Sequence, residues 1–292
     1  MILVFGNINA HIHLDIEKYS SFENRTLNAQ NSMFELSGHA AIHAVSAARS
    51  GGKVSLIGAI GNDIFAQHCI DTLRKEGINT SGVSRNDEET GLEITLQQPD
   101  GEKQPITSVG ANVKAHGSQI PEIHLNERSL TLLSNDTDED TLYSILKNTK
   151  SRNGRSILCL TNANKISGEV LLLADIVIGN ERTVKQSKNR YIIMTKNHGI
   201  NGANIYPQNA DQFSVDVNGP LQIKNTSACF DVFCGFFAAC IQAGLPVNRS
   251  VSFASRAARA ASQKTGMYNA IPHLGYVEDI EKTSSKSRNY LQ

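Results

Sequence analysis

At 292 residues the chain has room for one large or two modest domains with a sizeable core. Lys and Arg number 28 against 28 Asp and Glu, a formal charge of +0, so no overall basic field exists to recruit nucleic acid or an anionic membrane surface, and no apolar run reaches the length of a membrane span. The five cysteines are odd in number and scattered, with no Cys-x-x-Cys pair that would suggest zinc or redox chemistry, so reduced, buried thiols are expected.

In chain order, the opening MILVFGNINA lacks a basic leader, and its apolar run is too short for a signal peptide, so a cytoplasmic location is expected. Residues 2–5 (ILVF) predict a buried strand. Residues about 12–36, together with 88–109 and its Pro99-Asp100-Gly101 turn, predict strands and a hairpin outside the main sheet, a β flap able to cover a site. The stretch HAAIHAVSAARSGG places Ala40, Ala41, Ala44, Val45 and Ala48 on one helical face and stops at Gly51-Gly52. Further strands are expected at 53–60, 129–134, 156–160, 175–180 and 191–195. DTDEDTLYSILKNTK predicts a helix opened by Asp136 and Glu139 in capping-box spacing. FDVFCGFFAACIQAGLP is apolar all round, which predicts a buried helix ended by Gly244 and Pro246, and an Ala-rich helix follows it.

Strand and helix alternating in this way give an α/β fold: a Rossmann-like three-layer core with a mainly parallel sheet and a small β lid, in one domain over residues 1–292. Open parallel sheets bind ligands at the carboxyl ends of their strands. That directs attention to the loops around Gly6, Gly38, Asn135, Asn180 and residues 225–231. No Gly-x-Gly-x-x-Gly follows the first strand, which disfavours a dinucleotide-dependent enzyme.

Taken in order, these segments resemble the ribokinase-like (PfkB) family of carbohydrate and nucleoside kinases. GNINAHIHLDI resembles that family's first strand and turn, SGHAAIHAVSAARSGG its Gly-Gly signature and following helix, and VSLIGAIGNDIFA the next strand with its Gly-Asp loop. VGANV, DIVIGNE and NTSACFDVFCGFF follow in the expected sequence, so the likeness runs from about residue 2 to 280. It implies ATP-dependent phosphoryl transfer to a hydroxymethyl group of a sugar or similar alcohol, with Mg²⁺ accompanying the nucleotide. Asp231 matches the family's catalytic base, and Ala228, Cys229 and Phe230 match its anion hole. Asn9, His11, Gly38, His39, Ile42 and Asn135 match substrate-side positions, whereas Asn180, Thr195, Gly202 and Thr226 match nucleotide-side ones. The resemblance also implies a small-molecule substrate, sugar or nucleoside-like, and a homodimer formed through the β lid, with neither nucleic acid nor membrane as partner.

Several of these positions depart from the family pattern. The signature's two glycines are Ala228 and Phe230, with Cys229 between them, and a side chain held in left-handed backbone costs about 1–2 kcal/mol. The Phe230 ring is expected where the γ-phosphate should go. Asn225 replaces the signature's first Asp, Thr183 a Glu associated with metal-bound water, Asn197 a Gly, and His39 stands in for a common Lys. On the substrate side His11 replaces an Asp, Ile42 an Asn and Asn135 a Glu, making the pocket less acidic and more apolar. Two functions therefore stay open: a working kinase with an unusual acceptor, and a catalytically impaired relative that binds a nucleotide or small metabolite as a regulatory module. His11, His39 and His43 fall near the same mouth, and His11-x-His13 has the spacing of a strand pair facing one way, but without a third ligand of defined spacing they specify no metal site.

Overall fold

The computed structural model describes residues 1–18, 26–121, 124–162, 166–184 and 191–278. Part of the first flap segment and the tail of the expected domain lie outside them. In chain order the elements are β1 (Ile2–Phe5), β2 (Asn9–Ile16), β3 (Ala29–Ser37), α1 (His39–Arg49), β4 (Val54–Ile60), α2 (Ile64–Lys75) and β5 (Asn79–Arg85). Then come β6 (Gly91–Gln97), β7 (Lys103–Ser108), β8 (Leu130–Ser134), α3 (Glu139–Ser151), β9 (Arg155–Cys159), α4 (Gly168–Leu173) and β10 (Ile176–Gly179). The chain continues through β11 (Tyr191–Thr195), β12 (Gly202–Pro207), β13 (Phe213–Asp216), α5 (Cys229–Gln242) and α6 (Val247–Ser262).

Nine strands form one sheet in the order β13-β12-β11-β10-β9-β8-β1-β4-β5. The run from β11 to β5 is parallel, and β12 and β13 add an antiparallel edge. Parallel strands buried on both faces read as unbroken apolar runs, which is why each was visible in the sequence. Alternation along β1 separates two cores. Ile2 and Val4 pack on one face with α1, α2, α5 and α6, whereas Leu3 and Phe5 pack on the other with α3 and α4. The chain leaves β1 toward β4 on one side and later returns through β8 on the other, so the strand order reverses beside β1, where ligand crevices form.

A separate four-stranded sheet, β3-β2-β6-β7, stands outside the main one, and its β6–β7 hairpin turns at Gly101, φ 89°. This is the flap read from the alternating sequence. Two details differ from expectation. The helix after β8 is capped by Asp138, whose Oδ1 accepts from the Thr141 N–H at 2.9 Å, not by Asp136, which accepts from the Ser134 hydroxyl. The antiparallel β12–β13 edge also had no apolar run long enough to announce it. All five cysteines are free and buried, as composition suggested, and among the described residues no helix is long and apolar enough to cross a membrane.

Candidate functional site

A cavity of about 760 Å³ opens at the carboxyl ends of β9, β10 and β11, against the N-terminal turns of α1 and α5. It brings together six residues singled out in the sequence: His39, Asn180, Thr195, Thr226, Phe230 and Asp231. Asp231 lies in the first turn of α5, where the helix dipole favours a carboxylate, and is 1 % exposed. His39 Nδ1 lies 3.0 and 2.9 Å from its two oxygens. His43, one turn deeper on α1, brings Nε2 to 3.0 Å from Oδ1, out of hydrogen-bond alignment.

Gly38 and Gly235 make this meeting possible. Gly38 precedes α1 with φ 93°, and a Cβ there would fall 2.5 Å from the Asn7 carbonyl oxygen. Gly235 lets α5 lie on α1, since its Cβ would meet Ser46 Cβ at 2.4 Å and the His43 carbonyl oxygen at 2.6 Å. The electrostatics follow from the geometry. Burial alone would raise the Asp231 carboxyl, but the charge and hydrogen bonds of His39, with His43 adding to them, hold it well below the usual carboxylate range. Burial likewise opposes charge on His39, yet Asp231, and then Asp136 and Glu93, raise its imidazole to about 10. The pair is therefore carboxylate and imidazolium near neutrality, and the His39 side chain, 37 % exposed, forms part of the cavity wall.

The α5 entry corrects one expectation. Ala228 has φ −87° and ψ −10°, and no residue from 225 to 231 has positive φ. The backbone there carries no left-handed strain. Of the three anion-hole positions only Phe230 lines the cavity; Ala228 and Cys229 are buried, and the Cys229 N–H donates to the Thr226 carbonyl at 3.1 Å. Left-handed backbone occurs instead at Asn197 (φ 45°) and His198 (φ 54°), both on the cavity wall.

Other nucleotide-side residues are ordered locally. Asn180 Oδ1 accepts from the Arg182 N–H at 2.9 Å, and the Thr195 hydroxyl donates to the Gly179 carbonyl at 3.1 Å. Gly202, φ 96°, opens β12, where its Cβ would strike the Val215 carbonyl oxygen. It does not line the cavity.

The substrate-side positions are largely engaged elsewhere. His11 is buried, with Nε2 3.0 Å from the Thr95 hydroxyl and Nδ1 3.4 Å from Glu35, so its imidazole serves the four-stranded sheet rather than the cavity. Asn9 accepts from Asn112 Nδ2 at 2.7 Å, and Ile42 belongs to the apolar core. Asn135 ties the ends of β8 and β9 together: its Oδ1 accepts from the Thr161 N–H at 2.8 Å and its amide donates to Asn162 Oδ1 at 2.9 Å.

Sequence reasoning took Asp136 only as a helix cap and passed over Thr137. Both line a second cavity of about 450 Å³ with Gly6, Asn7 and Asn112, and among the described residues Asp136 Oδ2 and Thr137 Oγ1 have no hydrogen-bond partner. The only available signal was their place at the end of a core strand. Lys103 was equally invisible: from β7 its ammonium donates to Asn225 Oδ1 at 2.8 Å and to the Ser227 hydroxyl at 3.3 Å, docking the outer sheet on the loop before α5.

The sequence pattern of the pfkB family carbohydrate kinases matches residues 1–274. Ribokinase of Haemophilus influenzae is 24 % identical over 93 % of this chain and 95 % of its own length. The solved ribokinase of Thermotoga maritima superimposes with a TM-score of 0.85 at 23 % identity, covering 96 % of this chain and 99 % of that one. Arabidopsis thaliana ribokinase, solved with ribose and ATP, gives a TM-score of 0.84 at 21 % identity over 95 % and 97 % of the two chains.

Proposed function

This chain belongs to the pfkB family of carbohydrate kinases, and from that premise we propose that it transfers the γ-phosphoryl group of ATP to a hydroxymethyl group of a sugar or related metabolite. The observation that carries the proposal is the ionised Asp231 at the start of α5, on the wall of the 760 Å³ cavity and paired with His39. Phosphoryl transfer calls for positioning, charge neutralisation and a carboxylate to take the hydroxyl proton. Asp231 is that carboxylate, and the His39 imidazolium supplies positive charge where a family lysine is replaced.

The residues present fit a nucleotide. The cavity volume lies in the range of small-molecule sites, about 300–1,000 Å³, the amides at the start of α5 suit an anion, and Arg182 and Lys196 stand on its wall. Glu181, on the same wall, is the residue that would hold Mg²⁺ beside the phosphates. Bound Mg²⁺ neutralises the charge of the transferred group.

On the acceptor side, Asp136 and Thr137 take the part left open by His11, Ile42 and Asn135. Both residues line a second cavity, and the Asp136 charge acts on His39, so acceptor and base are electrostatically linked. The four-stranded sheet is the lid, latched by Lys103. Exposed Phe34 and Ile106 on it favour pairing with a second copy.

One observation favours the second reading, a relative that binds without turnover: the Asp231 carboxyl is 1 % exposed and both its oxygens are engaged. Incubation of the protein with Mg-ATP and a panel of sugars, nucleosides and other alcohols, following ADP, separates the two. Product that is lost in Asp231→Asn supports the kinase. Nucleotide binding without product from any acceptor supports the binding module.

A further inference from the structure

Behind Asp231, one helical turn deeper, a second polar layer is sealed in the core. His43, Cys159 and Cys234 are each 0 % exposed, and one donor atom of each, an imidazole nitrogen and two sulfurs, all lie within 4.8 Å of one another. Three elements converge there. His43 follows His39 by four residues on α1, Cys234 follows Asp231 by three on α5, and Cys159 ends β9. Spacings of four and three stack side chains on one helix face, so the His39–Asp231 layer at the cavity is followed beneath by a His43–Cys234 layer. Gly235, next to Cys234, brings α5 against the α1 backbone at His43 and closes the gap.

Among the described residues neither nitrogen of His43 has an aligned hydrogen-bond partner. Interiors rarely leave a buried imidazole in that state. The nearest polar group, Asp231 Oδ1 at 3.0 Å from Nε2, is out of alignment. An imidazole whose nearest polar neighbour is that one carboxylate oxygen, standing beside two buried thiols, is a soft, low-coordinate donor set.

We propose that His43, Cys159 and Cys234 form a binding site for a thiophilic d¹⁰ metal ion, Zn²⁺ or Cu⁺. Thiolate and imidazole are ligands that both ions accept. Binding replaces two S–H bonds with two metal–sulfur bonds, releases two protons and takes the lone pair of neutral His43. With Zn²⁺ the two thiolate charges and the ion sum to zero, so no net charge is buried. Metal–sulfur distances of about 2.3 Å and metal–nitrogen distances of about 2.0–2.1 Å place donors of one shell roughly 3.5–4 Å apart. The three side chains therefore need close by only about 1 Å to complete it. Asp231 Oδ1, 3.0 Å from His43 Nε2, would need to come into alignment to act as the outer-shell carboxylate of a metal-bound imidazole. The site does not depend on the phosphotransferase activity.

The test uses the full chain, freed of metal by a chelator under a non-thiol reductant. It is titrated with Zn²⁺ against a chromophoric chelator, with Cu⁺ against a Cu⁺-selective one, and with Co²⁺ as a spectroscopic stand-in for zinc. The expected result is one equivalent bound, two protons released per ion and thiolate-to-cobalt charge-transfer absorption, the tighter of the two competitive titrations naming the ion. Cys159→Ser and Cys234→Ser each weaken binding by more than the roughly 10- to 100-fold that loss of an outer-shell partner costs. Absence of both stoichiometric binding and charge-transfer absorption in the unaltered chain overturns the proposal, as does undiminished binding in both serine variants. The first readout needs no variant, so a misfolded mutant cannot mask the answer.

Discussion

Two loops on the wall of one cavity hold their backbones with opposite hand. The entry to α5 carries Ala228 and Phe230 and is ordinary right-handed backbone. The loop after β11 carries Asn197 and His198, and both hold positive φ. Strain arises only where the backbone is left-handed, and of these two loops it sits in the one carrying Asn197 and His198, not in the one that leads to Asp231. The α5 entry is left free to serve Asp231.

The largest expected effect sharpens the functional half of this contrast. Asp231→Asn lowers phosphoryl transfer by about 10²- to 10⁴-fold, read as ADP formation with the best acceptor, whereas His198→Gly leaves turnover within a small factor of the parent. Next comes Asp136→Asn: loss of a charged hydrogen bond to an acceptor hydroxyl is worth about 1.5–3 kcal/mol, which is roughly 10- to 150-fold in KM for the acceptor. A KM that stays put removes Asp136 from the acceptor site.

Glycine substitutions break or keep the comparison by their sign. Ala228→Gly, at helical φ, destabilises by about 0.5–1 kcal/mol, and His198→Gly, at positive φ, stabilises by about 1 kcal/mol. Urea unfolding of both reads the difference, and equal signs would mean that the two loops do not differ as described. Adding Phe230→Gly to Ala228→Gly isolates the ring. A gain in turnover identifies crowding of the phosphate path by Phe230, since no backbone strain exists there to relieve.

A further expected effect is in pH dependence. His39 is raised from its ordinary 6.5 to about 10 in the fold. The folded state therefore holds its proton more tightly than the unfolded chain. The contribution is complete below pH 6.5 and is lost as pH rises through about 10. Asp231, depressed, contributes above its ordinary value and loses that contribution on acidification. His39→Gln flattens the decline in stability between pH 6.5 and 10, measured by thermal unfolding across that window. An unchanged slope would show that the Asp231–His39 pair is not charged.

The histidine pair also shows where legibility ended. His39 and Asp231 were each marked from sequence, as a lysine replacement and a base, but their contact spans 192 positions, and no local pattern encodes it. His11 erred the other way. Its place in the motif put it on the substrate side, yet Thr95 and Glu35 were there to hold its ring within the outer sheet. Asp136 was read as a helix cap because cap spacing is a local rule, although the neighbouring Asp138 had the better geometry.

By itself the sequence determined the alternation of buried strands and helices, the Pro99-Asp100-Gly101 hairpin of the outer sheet, the end of α5 at Gly244, and a carboxylate at that helix's first turn. These follow from short-range periodicity and from backbone angles that only certain residues adopt. Only the tertiary structure decided that His39 and His43 face Asp231, that Lys103 reaches the loop before α5, that another carboxylate borders a second cavity, and that two cysteines meet a histidine beneath the site. Each depends on how closely two distant elements approach, and at α1 and α5 that distance is set by the missing Cβ of Gly235.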